Sequence, residues 1–173
     1  MGGKCFAHGC VHRLIRFARG LVDELAPSKK VYPWSPRRLF VMWHPWRALY
    51  EASEIELIWS KNLPEGVLGA TNGKQIWLSS KQFQAERRCT LTHELVHIER
   101  GHNGCQPSSV EKQVCAEAAR RLITIDQLRA WLPWALSMDE LAECLWVDKD
   151  TLKTRMENLT AEELQELSIV LSD

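Results

Sequence analysis

The stretch TLTHELVHIERGH, Thr90 to His102, decides how the rest of the chain is read. It packs three histidines and two glutamates into thirteen residues, and His93-Glu94-Leu95-Val96-His97 spells H-E-x-x-H. On a helix, side chains four residues apart share a face, so His93 and His97 can bind one metal ion together. Glu94 is turned by about 100° from His93, which keeps it out of the ligand set yet within reach of a water on the metal. A glutamate placed there can take a proton from that water while zinc polarises a peptide carbonyl. Leu91, Leu95 and Ile98 fall on the opposite side and predict a core-facing stripe for a helix over 84–100, with Gly101 as its stop.

Zinc in hydrolases usually takes three protein ligands and leaves one position open. His102 is the nearest candidate for the third. The metzincin pattern wants Gly three residues after the second His and a third His six after it. Here Arg100 occupies the Gly position and His102 comes one residue early. His102 is therefore expected at the site rim, as a candidate for transition-state stabilisation or as a solvated helix-end histidine. A second helix is predicted over 110–123, capped by Ser108 or Ser109. Val114, Cys115, Ala118, Ala119, Leu122 and Ile123 share one side of it. Glu111 points close to their mean direction, and Glu117 points roughly the other way into water. A carboxylate aimed along an apolar face costs free energy unless paired or metal-bound. Glu111 is thus the preferred third ligand, against a reading in which it merely complements the helix dipole.

Upstream, EIELIW over 54–59 alternates as a strand does, and VLGATNGKQIWLS reads as a β-hairpin turning at Asn72-Gly73. A short segment over Arg37–Trp43 and a helix over Trp46–Ala52, behind Pro45, precede them. PSKKVYPWSP over 27–36 is a loop, and Val11 to Leu25 carry the spacing of an amphipathic helix. Trp34, Trp43 and Trp46 are expected to fill a small core there, with an exposed subset as a partner-binding patch the alternative. The predicted organisation is an N-terminal helical and loop region over 1–53, a metal-bearing core over 54–125, and a helical region over 126–173. The fold class is α+β.

The 173 residues are 45% hydrophobic and 25% charged, which suits an ordered globular chain. Basic and acidic residues balance at 22 each, so no global field draws the chain to nucleic acid or membrane. Arg13, Arg16 and Arg19 interrupt every candidate secretory core, and no apolar run is long enough to span a bilayer. A cytoplasmic location is the expectation, with all six cysteines as reduced thiols. The Cys5, His8, Cys10, His12 cluster is tighter than a zinc-finger spacing and lacks a distant second pair, so it reads as a capped, solvated helix start.

The run GVLGATNGKQIWLSS, then ERRCTLTHELVHIERGH, then VEKQVCAEAARRLI, resembles the ImmA/IrrE family of gluzincin-like metallopeptidases over about residues 54–125. In that family a hairpin leads into H-E-x-x-H, and a second helix supplies a glutamate ligand at the position of Glu111. Gln113, Cys115 and Glu117 depart from the family's usual residues in that helix. The resemblance implies a zincin-type core, zinc on His93, His97 and Glu111, and Glu94 as general base. It also implies endopeptidase cleavage of a protein partner, namely a helix-turn-helix repressor of a phage, mobile element or stress response. The rival expectation is a catalytically silent regulator of the same fold that acts by binding its partner.

The tail segment MDELAECLWVDKDTLKTRMENL resembles the family's helical C-terminal region and has a helix-turn-helix rhythm, with Ala142, Val147 and Leu152 at packed positions. Trp146 stands where Gly usually makes the turn. Asp139, Glu140, Glu143, Asp148, Asp150 and Glu157 offset Lys149, Lys153 and Arg155, an acidity that opposes phosphate contacts. The expectation is a packing or substrate-docking module rather than a DNA reader.

Overall fold

Three short strands and seven helices make up the described part of the chain, residues 43–170, in a computed structural model. The expectations for residues 1–42, including the Cys/His cluster, the amphipathic helix and Trp34, lie outside the described residues. The elements are α1 (Pro45–Glu51), β1 (Glu56–Ser60), β2 (Gly69–Thr71), β3 (Gln75–Ser79), α2 (Gln84–Glu99) and α3 (Ser108–Leu122). They continue with α4 (Ile125–Trp131), α5 (Met138–Leu145), α6 (Lys149–Glu157) and α7 (Ala161–Val170). The class is α+β, as expected. None of the described helices is long and apolar enough to cross a membrane.

The sheet order is β1-β3-β2, with β1 parallel and β2 antiparallel to β3. Alternation explains the central place of β3. Ile76 and Leu78 are fully buried on one face, where they meet Leu91 and Leu95 of α2. Each such burial stabilises the fold by about 1.5–3 kcal/mol. Trp43, Trp46, Leu49 and Ile98 flank this cluster, so two of the tryptophans pack, partly buried, against a core. Trp46 also stacks on Trp59 of β1, with centroids 6.0 Å apart.

The hairpin turn differs by one residue from the expected Asn72-Gly73. Gly73 alone takes a left-handed backbone, at φ +87°, and the bend is centred on Gly73 and Lys74. Asn72 acts instead through its side chain, whose Oδ1 accepts from Lys74 N (3.0 Å) and Gln75 N (2.8 Å). An Asx turn of this kind uses Asn without requiring positive φ at it. The start of α3 also differs: Ser108 and Ser109 lie inside the first turn behind Pro107, with no side-chain cap bond.

A second core joins the end of α3 to the four C-terminal helices, through Leu122, Ile123, Leu128, Leu145, Leu152 and Leu167. Val96, Val114 and Ala118 fill the space between α2 and α3. The α5–α6 link turns at Trp146, which is left-handed at φ 56°, ψ 47°, without a glycine. What holds it is Arg88 of α2, 2% exposed, whose Nη1 donates to Trp146 O at 2.9 Å. Arg88 Nη2 donates to Trp43 O at 3.3 Å, and the guanidinium lies 5.6 Å from the Trp146 ring centroid. Burial pulls this arginine's pKa below its ordinary value. A buried guanidinium needs acceptors, and these carbonyls supply them.

Candidate metal centre

Helix α2 presents His93 and His97 toward α3, whose first turn presents Glu111. The two Nε2 atoms are 3.0 Å apart, and each lies 3.4 Å from Glu111 Oε2. Donors about 2.1 Å from one ion at tetrahedral angles stand roughly 3.4 Å from each other. Two of the three separations match that figure and the third is shorter. The three residues could hold a metal ion. The donor set, two imidazoles and one carboxylate, is one that zinc accepts.

Burial, followed by the neighbouring His97, lowers the pKa of His93 to about 4, and burial likewise lowers that of His97. Both rings are neutral near pH 7 and keep a lone pair for a metal. Glu111 is less enclosed than its helical phase suggested, with 38% of its side chain exposed. The phase was right for a different reason: it aims the carboxylate at the two rings rather than into apolar contacts. Glu117 is not simply solvated. It accepts from Arg121 Nε at 2.9 Å and pairs with Arg120 at 3.5 Å.

Glu94 lies beside this cluster, 5% exposed, and its carboxylate accepts no hydrogen bond among the described residues. Burial, then the charge of Glu111, push its carboxyl up to about 8. A buried carboxyl without a partner is costly, and a cation in the cluster would favour its ionised form. Glu94 and His93 line a cleft of about 380 Å³. One side of it is the approach to β2, with Val67 and Leu68. The other is the start of α6, with Asp148, Asp150 and Thr151.

Gly69 of β2 was missed in the sequence, although a glycine inside a strand often marks a close backbone approach. A Cβ there would stand 2.4 Å from Thr90 Cγ2 and 3.0 Å from Glu94 Oε1. With any larger residue there, the Thr90 side chain or the strand itself would have to shift. The outer nitrogens of both histidines are also occupied. His93 Nδ1 faces Cys115 Sγ at 3.7 Å, and His97 Nδ1 faces His102 Nδ1 at 3.0 Å. His102 thus meets the centre through His97 and does not join the three convergent atoms. All four cysteines among the described residues are free.

Comparison with protein-family models, with curated proteins and with solved structures gives no match. The functional reading rests on the residues themselves.

Proposed function

We propose that this chain is a zinc-dependent endopeptidase of ImmA/IrrE type. The observation that carries the reading is three convergent ligand atoms next to a buried, unpartnered carboxylate on a cleft wall. Zinc, when bound by His93, His97 and Glu111, supplies a Lewis acid that polarises a carbonyl and acidifies water. Glu94 takes the proton of the attacking water and returns it to the leaving amine. Its burial keeps bulk water from competing for that proton.

The cleft suits an extended polypeptide. Among the described residues β2 pairs only with β3, so its outer edge is open to strand addition from a substrate. Val67 and Leu68, 37% and 50% exposed, offer apolar contacts beside it. The helix-turn-helix-like pair α5–α6 packs its second helix on α3 and turns that helix's start into the cleft. That placement favours a substrate-docking role over DNA reading. The substrate implied by the motif resemblance is a helix-turn-helix repressor.

Metal analysis of the purified chain should find about one zinc, in line with a single three-ligand centre. Glu94→Gln should keep that zinc and lose cleavage of a helix-turn-helix repressor offered as substrate. Cleavage undiminished in Glu94→Gln removes the reading. Full biological activity of this variant without cleavage would favour the binding-only regulator.

A further inference from the structure

The end of α2 builds more than a helix stop. Gly101 takes a left-handed backbone at φ +69°, its N–H donates to Ile98 O at 2.9 Å, and His102 N–H donates to His97 O at 3.0 Å. These two bonds are the Schellman arrangement, in which the second residue past the cap folds back over the residue third from the helix end. Here those two residues are His102 and His97. The contact at this place is commonly apolar. In this chain it is a ring-to-ring nitrogen pair at 3.0 Å.

We infer that His102 is the positioning residue of the centre, accepting a hydrogen bond from His97 Nδ1 and so holding His97 Nε2 toward His93 and Glu111. The inference rests on the metal-centre reading above. A neutral imidazole carries one ring proton, and a metal on Nε2 requires it on Nδ1. With His102 Nδ1 only 3.0 Å away, His97 must donate and His102 must accept, carrying its own proton on Nε2. Ligating histidines whose second nitrogen is held in this way keep their ring orientation and tautomer. His93 has a poorer partner, since Cys115 Sγ is 3.7 Å away and sulfur is a weak acceptor. The centre is therefore held unequally, and His102 supplies the firmer support.

The test is zinc affinity of the full chain by chelator competition, together with NMR of the zinc-loaded protein. His102→Leu should bind zinc about 10–100-fold more weakly than the wild type. His102→Asn should stay close to wild type, because Asn Oδ1 sits where imidazole Nδ1 sits and can accept the same proton. A His97 Nδ1 proton slow to exchange should be seen in the wild type, lost in His102→Leu and restored in His102→Asn. If His102→Leu proves poorly folded without metal, the affinity and ring-proton signal of His102→Asn decide. Wild-type affinity in His102→Leu, or a His102→Asn variant without the ring-proton signal, overturns the inference alone. A wild-type chain that binds no zinc overturns the centre and the inference together.

Discussion

Helices α3 and α6 both begin with acidic residues and pack against each other, yet their carboxylates do different work. In α3, Glu111 faces two neutral imidazoles 3.4 Å away and completes a cluster able to hold a metal. In α6, Asp148 caps its own helix, its Oδ1 accepting from Thr151 N at 2.7 Å, while Asp150 stands exposed on the cleft side. Glu111 and Asp150 are both first-turn acids that complement a helix dipole. What separates them is the element opposite. Role follows from the facing partner, and helical position alone does not assign it.

The widest test of that contrast is metal binding. Glu111→Gln should weaken zinc at least about 100-fold, at or beyond the upper end of what losing an outer partner costs. Asp150→Asn should leave zinc affinity unchanged. Equal losses in the two variants would break the comparison. The α6 side has its own anchor, Arg155, 1% exposed, which donates to Ile123 O at 2.9 Å and pairs with Glu163. Arg155→Met strands that carbonyl and a partly buried carboxylate, so urea unfolding should show a loss of about 3 kcal/mol. A loss below roughly 1 kcal/mol would mean the pair behaves as a surface bridge.

The same pair sets a pH dependence. The hydrogen bonds from Arg155 hold the Glu163 carboxyl below the ordinary glutamate range. A folded-state pKa below the unfolded one gives stability that is present above the unfolded value and lost as pH falls through the folded one. Wild-type stability should therefore drop below about pH 4, and that part of the drop should be missing in Glu163→Gln. Smaller still is the effect expected at Trp146. Trp146→Gly relieves a left-handed backbone worth about 1 kcal/mol but removes the ring beside Arg88, so thermal unfolding should move by less than that amount. Least of all should change with Lys149→Glu and Lys153→Glu, since Lys149 already pairs with Asp139 at 2.8 Å. Duplex DNA binding by either variant should match the wild type in affinity and salt slope.

Much of the architecture was legible because it is local. Alternation in EIELIW marked a strand, the Leu91/Leu95/Ile98 spacing marked the buried stripe of α2, and Gly101 marked its end. The packed positions Ala142, Val147 and Leu152 are buried as their spacing required. The hairpin turn was misplaced by one residue because Asn can enter a turn through its side chain as well as its backbone. The exposure of Glu111 was misjudged because helical phase gives direction without depth. Gly69 was not tied to the site in the sequence, since it matters only through residues on another element.

By itself the sequence determined which side chains share a helix face: His93 with His97, with Glu94 set aside from both, because helical periodicity is a property of neighbours along the chain. Only the tertiary structure decided that Glu111 meets those rings, that His102 backs one of them, and that α6 walls the cleft beside Glu94. Such meetings depend on how separately formed helices pack and on where a turn sends the chain. Periodicity carries no information about either.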